Sequence, residues 1–383
     1  MSAPAGALRA GLVAGETSGD LLGGLLLGGL RQTWPSLTAW GIGGPRMAEQ
    51  GMHSLWPMER LSVFGYVDAL KRLPELLRIR RELGDRVLAE RPDVFIGIDA
   101  PDFNFGLERR LRKGGIKTVH FVCPSVWAWR SERLLKMAEA IDHVLCLFPF
   151  EPELLRANGI DATYVGHPLA SVIPMEPDAK AARLALQLPG QGQVVAVMPG
   201  SRSSEIEHIA PRFMAAIRLL SSQLPDAVFV IPAVPAQFER LSAMALSLGL
   251  GQRLKVVRGQ SHEVLAACDV ALMASGTATL EAALFKRPMV IAYNMGWLSW
   301  QSMKRKSLQP WVGLPNILAR EFVVPELIQD AATPEALAGA VTGWLSDPEK
   351  MEAVQNRFRA LHESLRRDTA HLSAHAIQKV LEG

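Results

Sequence analysis

Residues 194–205, VVAVMPGSRSSE, set an apolar run directly before a Gly-Ser-Arg turn and the start of a helical pattern. That arrangement suits an anion. Gly200 lets the backbone approach a ligand closely, Ser201 can donate or cap, and Arg202 offers a planar fork of N–H donors matched to phosphate oxygens. The construction recurs at residues 270–281, VALMASGTATLE, where Ser275, Gly276 and Thr277 close the apolar run and Glu281 stands about one turn into the next helix. A carboxylate there can accept both hydroxyls of a ribose. Phosphate donors followed by a ribose acceptor point to a nucleotide.

In the first half the chemistry-bearing side chains are mostly carboxylates. Asp99 ends the apolar run 94–98, at the carboxyl end of a strand, where open α/β sheets bind their ligands. Asp102 directly precedes the helical run to residue 113 and is expected to cap it, which frees Asp99 to act as a general base. Glu16, Ser18 and Asp20 lie in or beside the turn after the first apolar run; for Glu16 and Asp20, ligand binding or base work competes with capping of a helix at 21–30. His120 sits inside a strand and His167 in a loop, and both are expected to be structural or to position rather than to catalyse. Trp127 and Trp129 line either a ligand surface or the core, and Asn316, after Leu314-Pro315, reads either as turn chemistry or as a ligand contact.

The elements that hold these residues follow from periodicity. Short apolar runs at 8–13, 37–42, 94–98, 118–122, 143–147 and 163–165 alternate with helical patterns, and after the break at 166–177 the rhythm restarts at 194–198, 227–231, 254–257, 270–273 and 289–292. Alternation of this kind gives βαβ units and parallel sheets, hence two Rossmann-like doubly wound α/β domains. Residues 1–168 form the first domain, 169–177 a linker and 178–345 the second, with helices over 346–383. A length of 383 residues supports this division, since single cores stop growing well before that size.

With 49% hydrophobic and 21% charged residues, the chain has the profile of a soluble globular α/β protein. A net charge of +3 favours anionic ligands without demanding nucleic acid, and no interleaved aromatic and basic pattern suggests single-strand binding. Cys123, Cys146 and Cys268 lie in apolar runs, which predicts reduced, buried thiols in a cytoplasmic protein and no zinc site. The N-terminus reads as a first strand rather than a signal peptide, and the apolar stretch 21–30 is too short to cross a bilayer.

Nine segments occur in a telling order: Gly15-Glu16-Thr17-Ser18-Gly19-Asp20, Gly41-Ile42-Gly43-Gly44, the run from Gly97 to Asn104, Pro124-Ser125-Val126-Trp127-Ala128-Trp129-Arg130, Phe148-Pro149-Phe150-Glu151, Val165-Gly166-His167-Pro168, Pro199-Gly200-Ser201-Arg202, the run from Ala274 to Glu281, and Leu314-Pro315-Asn316. Together, over residues 8 to 345, they resemble the lipid A disaccharide synthases. The resemblance implies a GT-B architecture with the two domains facing across a cleft. It also implies an inverting transfer of 2,3-diacylglucosamine from UDP to 2,3-diacylglucosamine 1-phosphate, with no cofactor. On this reading Asp99 and Glu16 are catalytic, and Gly200, Ser201, Arg202, Ser275, Gly276, Thr277, Glu281 and Asn316 bind the UDP donor. Ser18, Asp20, His120, Trp127 and Arg130 bind the acceptor. Because no Asp-x-Asp pair or His cluster is visible, the departing diphosphate is expected to rest on helix termini and Arg202, without a metal.

One departure from the family pattern is Asn294, where a basic residue is expected; Lys304, Arg305 and Lys306 follow close behind. A UDP-sugar epimerase of the same fold and a non-catalytic UDP-binding module are the alternatives. Finally, Phe64 and Tyr66 stand beside residues 71–91, which hold seven basic and four acidic side chains, Arg78 and Arg81 among them. Apolar insertion flanked by positive charge predicts peripheral docking on an anionic membrane, the inner face of the inner membrane by the resemblance. Pairing into a homodimer is left open.

Overall fold

The structure, a computed structural model, describes residues 7–61, 66–127, 132–296, 300 and 308–383, and of 66–71 the backbone only. Contacts divide it into two compact units, Met1–Pro168 with Leu365–Gly383, and Leu169–Ser364. In the first, β1 (Arg9–Ala14), β2 (Thr38–Ile42), β3 (His53–Ser54), β4 (Val94–Ile98), β5 (Lys117–Phe121), β6 (His143–Cys146) and β7 (Ala162–Tyr164) form a sheet in the order 3-2-1-4-5-6-7. In the second, β8 (Val194–Met198), β9 (Val228–Ala233), β10 (Leu254–Arg258), β11 (Val270–Ala274), β12 (Met289–Tyr293) and β13 (Glu326–Ile328) are ordered 10-9-8-11-12-13. Every pairing is parallel.

Helices cover both faces of such sheets, so the central strands have no wet side and their sequences read as unbroken apolar runs. All five residues of β4 and all five of β11 are buried. The two strands that the apolar pattern does not announce, β3 and β13, are edge strands of two and three residues without a hydrophobic run. In each sheet the strand order reverses once, between β1 and β4 and between β8 and β11. These reversals open crevices at the carboxyl ends of the strands, where doubly wound folds bind ligands.

The last two helices belong to different units. Pro348–Leu365 lies in the second up to Ser364, and there His362 Nδ1 accepts from the buried Lys286 ammonium at 2.7 Å and Nε2 meets the Ala170 carbonyl at 2.7 Å. Thr369–Glu382 packs on Thr17–Thr33 in the first. Gly29 permits that approach, because a Cβ there would stand 2.5 Å from the Ala370 carbonyl oxygen. Among the described residues no helix is long and apolar enough to cross a membrane.

Candidate active site

At the β1–β4 crevice the loops touch: a Cβ on Gly15 would lie 3.1 Å from that of Ala100. Asp99 follows β4 with φ 51° and Ala100 has φ 43°, two consecutive left-handed residues that are not glycine. Each such residue costs roughly 1–3 kcal/mol and persists only where its surroundings hold it. Here the Asp99 N–H donates to Phe121 O at 2.9 Å, and its carbonyl accepts from Asn104 Nδ2 at 2.8 Å. Asp99 is half-buried, and no described residue bonds its carboxylate. Glu16, exposed at the start of Thr17–Thr33, makes no capping bond and is also open, as is the exposed Ser18.

Three polar side chains of this crevice have partners that the sequence pattern does not show. Asp20 is buried, and its carboxylate accepts from Gly44 N at 2.9 Å and from Arg46 N and Met47 N at 3.0 Å each. It therefore caps the neighbouring helix Pro45–Glu49 with both of its oxygens. Asp102 does not cap: the cap position of Pro101–Lys113 is Ala100, and Asp102 lies 88% exposed in an ion pair with Arg133 at 2.7 Å. His120 is fully buried, with Nδ1 2.7 Å from Glu108 Oε1, in keeping with the structural or positioning role expected of it.

Trp127 donates its indole N–H to Glu151 Oε1 at 3.0 Å and meets the rings of Phe148 and Phe150 edge-on. Glu151 also accepts from Phe148 N at 3.0 Å, yet burial pushes its carboxyl up to about 8. Burial likewise holds neighbouring His167 down to about 4, so that ring is neutral. The sequence offered Glu151 only as part of a motif; its service to Trp127 needs the fold. Burial pushes up the thiols of Cys123, Cys146 and Cys268, which keeps all three protonated. Arg130 and Phe64 lie outside the described residues, as do Lys304, Arg305 and Lys306, and of Tyr66 only the backbone is described.

At the β8–β11 crevice Gly200 turns with φ 102° into the 21-residue helix Ser203–Gln223. The anion that a cation at a helix start calls for is present within the chain. Glu205 accepts from Ser201 N at 3.1 Å, Arg202 N at 3.2 Å and Arg202 Nη1 at 2.8 Å. Glu205, which sequence reasoning passed over, thus shapes the turn, while the Arg202 side chain remains 79% exposed with further donors facing solvent. Tyr293 stands close by: burial first, then the Glu205 charge, raises its hydroxyl, and Arg202 opposes. Asn294 donates to the His208 carbonyl at 3.2 Å.

After β11, Ser275 Oγ donates to Val312 O at 2.9 Å, and nothing lies within 4 Å of a Cβ built on Gly276. Gly276 and Thr277 are exposed beside Glu281, whose Oε2 lies 3.5 Å from His262 Nε2. That contact, more than any other influence, raises the His262 ring above its ordinary value. Asn316 is held by its own loop. It is fully buried, its amide donates to Val324 O and Glu326 Oε1, and its carbonyl accepts from Val323 N and Val324 N. With these four bonds made inside the loop, Asn316 shapes the segment before β13. Among the described residues no cluster of His, Cys, Asp and Glu could hold a metal ion.

Two doubly wound units, each with polar loops at its single strand-order reversal, define a Rossmann-like pair of the GT-B class. Solved structures share the plan. A UDP-GlcNAc 2-epimerase from Neisseria meningitidis bound to UDP-GlcNAc superposes with a TM-score of 0.65 at 12% identity, covering 98% of this chain and 100% of that one. MurG of Acinetobacter baumannii gives 0.60 at 13%, over 97% and 99%. At such identities the likeness extends to the fold alone. The sequence goes further: residues 11–380 match the model of the lipid-A-disaccharide synthetase family. The lipid-A-disaccharide synthase of Albidiferax ferrireducens is 61% identical over 381 residues, 98% of each chain, and that of Burkholderia mallei 53% over 376 residues, 98% and 97%. The chain belongs to the lipid-A-disaccharide synthetase family and is a hexosyltransferase; the epimerase and the non-catalytic module are set aside.

Proposed function

We propose that the chain joins UDP-2,3-diacylglucosamine to 2,3-diacylglucosamine 1-phosphate with inversion, giving the β-1,6-linked disaccharide 1-phosphate and UDP. Asp99 takes the proton of the attacking 6-hydroxyl, and the first unit binds the acceptor through the loops that carry Glu16, Ser18 and Trp127. The second unit binds UDP: Arg202 and the Ser201 turn meet the diphosphate and draw off its developing charge, and Glu281 accepts the ribose hydroxyls beside Gly276 and Thr277. The observation that carries this reading is the Asp99 carboxylate, bonded by no described residue, on a pinned left-handed turn at the strand-order reversal.

We place the enzyme as a peripheral protein on the inner face of the inner membrane, where its acylated substrates reside. Support comes from the helix Tyr66–Glu90, on which Leu73 and Leu77 are 46% and 45% exposed and share a stripe with Arg81, beside exposed Arg78. The test is to supply purified protein with both acylated sugars and follow products by mass spectrometry. Disaccharide 1-phosphate and UDP in equal amounts are expected; epimerised UDP-sugar, or consumption of donor without acceptor, would overturn the reading.

A further inference from the structure

Beneath the Asp99 turn lies a polar cluster that the reaction scheme leaves unused. Asn104 and Glu108 are one turn apart on Pro101–Lys113, both fully buried, and Glu108 reaches the equally buried His120 on β5. Asn104 Oδ1, Glu108 Oε2 and His120 Nε2 have no hydrogen-bond partner among the described residues. Such atoms are rare in protein interiors, because each gives up its hydration without replacement. The fold also makes room for them. A Cβ on Gly97, in the middle of β4, would stand 2.1 Å from Glu108 Oε1 and 3.1 Å from Asn104 Cβ.

Asn104 is the member of the cluster that touches the turn, and it does so twice. Its Nδ2 donates to the Asp99 carbonyl at 2.8 Å and its backbone N–H to the Ala100 carbonyl at 3.0 Å. Those are the two left-handed residues, a conformation L-residues keep only under restraint. With Phe121 O holding the Asp99 N–H from the other side, the peptide before the helix is fixed at both ends. The geometry points to Asn104 as a positioning residue for Asp99. This inference rests on Asp99 being the base. The side chain must be an amide, since a carboxylate would offer the Asp99 carbonyl an acceptor instead of a donor.

The test compares Asn104→Ala, Asn104→Asp and Asn104→Ala combined with Ala100→Gly, with Ala100→Gly as reference, by kcat, acceptor KM, UDP calorimetry and melting temperature. Loss of the amide should lower kcat ~10- to 100-fold, the scale of a misplaced catalytic group, with acceptor KM and UDP affinity within about threefold of wild type. Ala100→Gly removes the left-handed strain at that residue and should recover at least about threefold of the lost kcat. A merely structural role would instead lower the melting temperature and leave kcat near wild type, which overturns the inference, as does a double variant that recovers nothing. If Asn104→Ala does not fold, the near-isosteric Asn104→Asp is read by the same kcat criterion. Asp99→Asn separates the two failures. If it is active, the base and this inference fall together; if it is inactive beside a wild-type-like Asn104→Ala, only the inference falls.

Discussion

At the β1–β4 reversal the open groups are the carboxylates of Asp99 and Glu16. At the β8–β11 reversal they are the exposed donors that Arg202 keeps beyond its Glu205 ion pair and the exposed turn at Gly276 and Thr277, while Glu205 is bonded to its turn and Glu281 contacts His262. Both crevices come from the same topology, so the contrast lies in the few residues after each strand. The first loop spends conformational strain to hold one acid open, whereas the second uses a glycine with positive φ to bend without strain. One reversal is thereby suited to accepting a proton, and the other to receiving negative charge.

The contrast can be broken most severely at its acidic side. Asp99→Ala should reduce turnover by ~10²- to 10⁴-fold, the range of a lost general base. Activity within about threefold of wild type would move the base elsewhere, Glu16 being the next open carboxylate.

At the cationic side, Arg202→Ala should weaken UDP binding by an amount equivalent to ~1.5–3 kcal/mol, and raising salt should narrow the gap to wild type. Glu281→Ala should weaken UDP as well, with little salt dependence, because it is assigned neutral hydroxyls. Titrations in which neither variant changes UDP affinity would remove the donor site from this turn.

A smaller effect belongs to Glu151 under Trp127. Its folded value near 8 lies above the ordinary 4.5, so between those values the folded state keeps a proton that the unfolded state has released. Stability should therefore fall as pH rises through this window. His167, held near 4, acts oppositely, but only below its ordinary 6.5. From pH 6.5 to 8, wild type should lose ~1–2 kcal/mol relative to Glu151→Gln in denaturant melts. Parallel curves for the two proteins would show that Glu151 is ionised in the fold.

The smallest expected effect is on membrane affinity. Vesicles of anionic lipid should pellet less of a Leu73→Ser, Leu77→Ser variant, and less of an Arg78→Ser, Arg81→Ser variant at low salt, than of wild type. Undiminished sedimentation of both folded variants would place the contact elsewhere.

Much of this was legible before any coordinates, because parallel strands advertise themselves: residues 94–98 and 194–198 are strands over those same positions. The helix of residues 21–30 reaches from Thr17 to Thr33, since polar first and last turns carry no apolar period. What the sequence could not show is which partner each polar side chain takes. Asp20, Asp102 and Asn316 look alike in sequence as polar residues near loops. Only the fold shows Asp20 reaching 24 to 27 positions along the chain to its amides, or Asn316 closing its bonds onto residues 323–326. Glu205 and Asn104 were missed for the complementary reason, as each acts on a backbone turn that sequence could not see.

The division between the two reversals is tested most directly by titrating UDP into Asp99→Ala in a calorimeter, with Arg202→Ala alongside. If the first unit supplies the base and the second alone holds the nucleotide, Asp99→Ala should bind UDP within about threefold of wild type while turning over almost nothing. A loss of UDP affinity in Asp99→Ala as large as that in Arg202→Ala would contradict the division.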